Sequence, residues 1–334
     1  MSFCYVLMCH TDPAGVLRLV RRVRSLSPGS EVLVRFRDPE FLDAASVTEA
    51  GGRRFVSRIP TRWGDQSLVD AALEGFSVAR ALTGCDHAVL VSGQDYPIRD
   101  LADWEAEVDA LGADALLDAS AEQPADHELR WSIITPPAAL RGDEALLRRA
   151  TVRLGAFSPA RVLVKPGEPR IWVGVPRGSQ RPPLLPVKCA QWITLSAMAI
   201  DALLHRDHAD PRVGEYFRGV RIPDEWTVPS IVCDDPSLRV AFAATTAKVW
   251  EPWSPSPRWL DLEALERIRR TSAAPFARKI APDVSPEVLA EADRMATRSR
   301  AQVAADVVEP VVRQPAWADS VRATVVPATG VRTS

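Results

Sequence analysis

The stretch "FCYVLMCHTDPAGVLRLVRRVRSL", residues 3–26, sets the fold class. Its opening "FCYVLMCH" is a short, continuous apolar run, the pattern of a strand buried on both faces. The period then changes. Asp12 suits an N-cap and Pro13 the first helical position, and Val16, Leu19, Val20 and Val23 fall on one helical face with arginines in the last turn. A turn at "SPGS" leads to a second strand, "EVLVRF", and "RRFVSR" reads as a third. Asp65 can cap a helix over "QSLVDAALEGFSVARAL", and "HAVLVS" is again a fully apolar strand, running into "GQDYPIR". This alternation predicts an α/β sheet with crossover helices, in which ligands sit at the carboxyl ends of the strands. His10, Asp38 and Asp95 fall at such ends.

Further along, "ADALLDAS", "ARVLVK" and "RIWVGV" read as strands. Helices are expected over "DEALLRRATVRLGAF", "QWITLSAMAIDALLHR", "LDLEALERIRR" and "PEVLAEADRMATRSRAQVAA", the last capped by Ser285. The Pro-rich "PRGSQRPPLLP" is a loop within one fold. Residues 1–302 are therefore expected to form a single domain, and 303–334, where the apolar signal weakens, a weakly ordered tail. The 334 residues are 46% hydrophobic and 25% charged, ordinary for a globular enzyme. A net charge of −2 gives no electrostatic footprint for nucleic acid or an anionic membrane. Five cysteines without a C-x-x-C pair suggest neither a disulfide framework nor a zinc site. The N-terminus lacks the basic region and apolar length of a signal or membrane anchor, so a cytoplasmic protein is expected. Only four of the 41 basic residues are lysine, which makes each one worth placing.

Two adjacent carboxylates, Asp224 and Glu225, stand in the apolar stretch "RIPDEWTVPS", residues 221–230. A glutamate there is either a general base or a first-turn acid that the helix dipole favours. Four segments, in order, resemble the core-2/I-branching N-acetylglucosaminyltransferases and peptide O-xylosyltransferases, one glycosyltransferase family. They are "RWGDQSLVDAALEGF", "HAVLVSGQDYPIR", "AQWITLSAMAIDALL" with "IPDEW", and "APFARKIAPDVSPEVL". Asp65 stands where the family carries a second glycine. The resemblance implies a GT-A-type, Rossmann-like nucleotide-sugar transferase fold with a central mixed sheet flanked by helices. It also implies a UDP-sugar donor (GlcNAc or xylose), an acceptor hydroxyl on a small molecule or glycan, inversion at the anomeric carbon, and no required metal or other cofactor.

The residues are consistent with that chemistry. No Asp-x-Asp pair for a donor-bound metal occurs anywhere in the chain, so side-chain cations would have to stabilise the leaving diphosphate. By the resemblance these are Arg278 and Lys279, a fork and a point charge suited to two phosphates. Glu225 would then be the single base that inversion requires, with Asp224 capping or orienting the helix start. Pro229 falls inside the helix the family extends from this point, so that helix must kink or begin later.

The remaining candidates each keep an alternative. Asp95 either orients donor or acceptor hydroxyls or closes an Asx-type turn. Trp192, beside Gln191, either offers a flat face to a sugar ring or packs in the core. His10 and Asp38 either contact the nucleoside or bound their turns. Trp63 reads as packing, and the loop carrying Trp250 and Trp253 as an acceptor lid or a wrapped connection. An inactive UDP-sugar- or glycan-binding protein on the same fold is the alternative to an enzyme.

Overall fold

Every residue of β1 (Phe3–Met8) is buried, and its side chains alternate between two cores. Cys4, Val6 and Met8 join one cluster; Phe3, Tyr5 and Leu7 join the other. This is the period-2 signature of a strand covered on both faces. A computed structural model describes residues 1–120, 123–135, 160–164, 171–251, 254, 256–308 and 315–328. Helix α1 (Pro13–Leu26) and α4 (Leu101–Leu111) pack on the Phe3 face, while α3 (Ser67–Thr83) and the helix Ala197–Ala209 cover the Cys4 face. Asp12 caps α1 as expected, accepting from the Gly15 N–H at 3.0 Å. The short α2 (Ala44–Glu49) precedes the third strand.

Among the described residues, eight strands form the main sheet. β1, β2 (Glu31–Phe36), β3 (Arg53–Val56) and β4 (His87–Ser92) run parallel on one side. β6 (Ala115–Leu117), β11 (Arg239–Phe242) and β14 (Thr324–Val325) complete the other. β10 (Thr194–Ser196) is inserted antiparallel between β4 and β6, so the sheet is mixed. The stretch 191–206 is thus not helical throughout. It enters as a strand, and Ser196 then caps the helix by accepting from the Ala199 N–H.

The described residues also form two three-stranded sheets. β5 (Asp95–Pro97) and β12 (Thr246–Lys248) flank β13 (Phe276–Arg278), covered by the helices Leu262–Thr271 and Pro286–Ala296. β7 (Leu129–Ile134) pairs with β9 (Ile171–Pro176), which pairs with β8 (Arg161–Val164). The helix expected over 143–157 lies outside the described residues.

Two boundaries differ from expectation. The long C-terminal helix is broken at Thr297–Ser299, where Ser299 and Gln302 form a capping box for a separate helix, Arg300–Asp306. Residues 315–326 are not a loose tail. β14 pairs with β11, Ala318 and Ala323 are buried in the main core, and the Trp317 indole donates to the Ser120 carbonyl at 3.1 Å.

Candidate active site

A cleft of about 930 Å³ opens where the carboxyl ends of β1, β2 and β4 deliver Met8, Cys9, Arg35 and Ser92. Its floor carries the two carboxylates. Ile222, in the left-handed region at φ 57°, turns the chain into a 3-10 helix over Pro223–Glu225. The following helix begins only at Thr227, which puts Pro229 in its first turn, where no intrahelical acceptor awaits an N–H. Of the two readings for Pro229, a later start is the one adopted.

Glu225 and Asp224 both line the cleft but differ in partners. The Glu225 carboxylate lies 3.1 Å from the Lys188 ammonium, and its backbone carbonyl accepts from the Cys189 N–H at 2.9 Å. Asp224 is 7% exposed, and its Oδ1 is buried without a hydrogen-bond partner. It caps no helix, contrary to expectation, because the residue preceding the following helix is Trp226. Burial first, and the neighbouring Glu225 charge second, push the Asp224 carboxyl up to about 7.

Arg278 and Lys279 face the same cleft, at the end of β13. In the ladder Arg278 stands opposite Asp95 of β5 and beside Lys248 of β12. Paired positions project to one face, so the sheet gathers these three charges. The Arg278 Nε is 3.6 Å from Asp95 Oδ1, too long for a hydrogen bond, and its Nε and Nη1 are buried without a partner. Its guanidinium lies over the Trp192 ring at 4.6 Å from the centroid, and the Lys279 ammonium lies over Trp259 at 4.4 Å.

The other sequence candidates divide. Trp192, Gln191 and His10 line the cleft. Trp192 precedes β10 instead of sitting on a helix. Desolvation first, then the Lys279 and Arg278 charges, hold the His10 imidazole below its ordinary value. Asp95 does not reach the cleft wall. It is buried behind Arg278, with Oδ2 accepting from the Ser92 N–H at 2.9 Å, and burial, opposed by Arg278, pushes its carboxyl up to about 6. Asp38 is also absent from the wall; it is exposed and closes its own turn by accepting from the Glu40 N–H. Trp63 is more than packing, since it stands at the cleft mouth edge-on to Trp172. Trp250 lines the wall and Trp253 lies outside the described residues.

Sequence reasoning missed Lys188 and Lys248. Both line the cleft, with Lys248 held 2.8 Å from Asp118. Three of the four lysines therefore meet in one cleft; the fourth, Lys165, lies outside the described residues. The rarity of lysine was the signal available for them. Among the described residues no group of three or more His, Cys, Asp or Glu side chains converges as a metal site, and no helix is long and apolar enough to cross a membrane.

No protein-family model matches the sequence, and no curated protein matches it. Among solved structures, 73% of the chain is similar to 83% of a mannose-1-phosphate geranyltransferase from Thermus thermophilus, at 12% identity and a TM-score of 0.28. A likeness of that size carries no argument about this chain.

Proposed function

We propose that the chain is an inverting glycosyltransferase with a GT-A-type fold, similar to the core-2/I-branching and peptide O-xylosyltransferase family. It moves GlcNAc or xylose from a UDP-sugar to an acceptor hydroxyl. The observation that carries this reading is the meeting of Glu225 with Arg278 and Lys279 across one cleft at the carboxyl ends of the sheet, although more than fifty residues of sequence separate them. Arg278 supports it further, because a guanidinium whose Nε and Nη1 are buried and unmatched favours an incoming anion.

In this mechanism the acceptor oxygen attacks C1 of the sugar in line with the departing UDP. Its proton passes to Glu225 as the new C–O bond forms. The C1–phosphate bond breaks opposite, and Arg278 and Lys279 take up the charge that develops on the diphosphate. Fixed cations occupy the place that a donor-bound metal holds in Asp-x-Asp enzymes. Asp224 orients a sugar hydroxyl through its unmatched Oδ1.

The Lys188 contact with Glu225 favours a second reading, a UDP-sugar-binding protein without turnover, because it occupies the base. Measuring UDP release from UDP-GlcNAc, UDP-xylose, UDP-glucose and UDP-glucuronate, with and without EDTA, separates the two. The transferase reading expects release from one of the first two donors, insensitive to EDTA. It also expects a loss of roughly 10²–10⁴ in rate in Glu225→Gln with UDP affinity retained. Full EDTA sensitivity, or undiminished turnover in Glu225→Gln, overturns the mechanism.

A further inference from the structure

The chemistry proposed above uses the charged side chains of the cleft and leaves its apolar lining unassigned. Trp63, Leu163 and Trp250 line the cleft although they are 39%, 41% and 46% exposed. Large apolar side chains kept in water along a ligand cleft mark a contact surface for apolar ligand atoms. The surface has a firm backing. In the sheet β7–β9–β8, Trp172 of β9 stands opposite Ile133 on one side and Leu163 on the other. Paired positions project to one face, so a row of three apolar side chains crosses that sheet. Trp172 also lines the cleft, but its ring is buried, edge-on to Trp63 at 6.0 Å. It lies so close to Gly64 that a Cβ there would meet Cη2 at 2.7 Å. The loop carrying Trp63 and the strand pair carrying Leu163 are thus braced by one indole.

We propose that this lining is the acceptor subsite, and that the acceptor is a small hydroxyl compound built on a flat apolar ring system, of the phenol class. The proposal rests on the transferase reading above. A pyranose stacks its C–H face on an aromatic ring but carries hydroxyls around its edge, and a peptide carries an N–H and a C=O at each residue. Both need polar partners beside the ring. Ile133 and Leu163, the neighbours of Trp172 across the ladder, offer none. An apolar ring needs none and gains by the area it removes from water. Trp250, just beyond β12, adds an exposed indole from another part of the chain. In the transfer step the ring hydroxyl supplies the attacking oxygen. Its proton goes to Glu225, the new bond to C1 forms, the C1–phosphate bond breaks and UDP leaves.

Equilibrium dialysis of the full chain, with and without UDP, against phenol, naphthol, para-phenylphenol, cellobiose and a glycine–serine peptide tests this. Affinity should rise about fivefold or more from phenol to phenylphenol, following the apolar area added. Leu163→Ser and Trp250→Ala should each weaken phenylphenol at least about fivefold, with Trp250→Phe between Trp250→Ala and wild type. Both positions are exposed, so the variants should keep the wild-type urea midpoint, which verifies their fold. Equal affinities along the phenol series, undiminished binding in both variants, or tighter binding of cellobiose or the peptide than of phenylphenol overturns the proposal. UDP release quickened by cellobiose or the peptide but by no phenol overturns it and upholds the transferase reading. Graded phenol binding without turnover of any UDP-sugar upholds the ring-binding surface and overturns the transferase reading.

Discussion

The unmatched carboxyl of Asp224 sets a pH dependence that can be read without any substrate. Its folded value of about 7 lies above an ordinary 3.8, because burial and then the Glu225 charge oppose ionisation. Between those two values the folded state holds more protons than the unfolded one. Its contribution is therefore complete below about pH 4 and is lost as pH rises through about 7. Asp95, raised to about 6 by burial, has the same sign. In Asp224→Asn the decline in unfolding free energy from pH 4 to 7 should become shallower, and the variant should be the more stable protein at pH 8. Urea denaturation across that range measures it; parallel curves for the two proteins would place the titration elsewhere. Asp224 was legible as a residue worth asking about, since two carboxylates in an apolar stretch demand a reason. Its missing partner was not, because whether an oxygen is matched depends on chain segments far away in sequence.

At the scale of elements, the left-handed turn at Ile222 decides where the carboxylates point. A β-branched residue at φ 57° carries strain of about 1–2 kcal/mol, which the surrounding packing must hold in place. Glycine would relieve that strain, but it gives the unfolded chain more freedom, worth about 0.4–1 kcal/mol. It also removes a half-buried side chain from the cleft wall. Ile222→Gly is thus expected to melt within about 3 °C of wild type while turnover falls at least about tenfold as the reacting groups lose alignment. A wild-type rate would show that the turn has no bearing on catalysis.

β1, α1, β4 and α3 were legible because each spans enough chain to imprint a period, whereas α2, α4 and β7, of six to eleven residues, were not read. β10, β12 and β13 were not, each having only three residues. The last two matter most, since their pairing puts Arg278 beside Lys248. The break at Ser299 was marked in the sequence by a serine followed three residues later by Gln302, a signal overridden by the continuing apolar pattern.

For the molecule as a whole, the C-terminal segment closes one edge of the main sheet. β14 covers β11, and Trp317 packs edge-on to Phe242 at 5.2 Å while bonding the Ser120 carbonyl. The sequence suggested a tail because the apolar residues there, nearly all Ala and Val, follow neither a helical nor a strand period; its few anchors suffice once a sheet edge is there to receive them. Trp317→Ala should cost about 2–3 kcal/mol, below the range for a fully buried tryptophan, read as a lowered urea midpoint. An unchanged midpoint would mean that the segment contributes nothing to folding.

The gathering of Lys188, Lys248 and Lys279 around one opening makes the protein its own reporter. An acylating reagent directed at primary amines has few targets on this chain, so mass spectrometry of the labelled product becomes a footprint of occupancy. Saturating UDP should slow acylation at Lys279 and Lys248 while the exposed amino terminus at Met1 reacts at its original rate. Equal slowing at all three positions would point instead to a change in the solution or in the whole molecule.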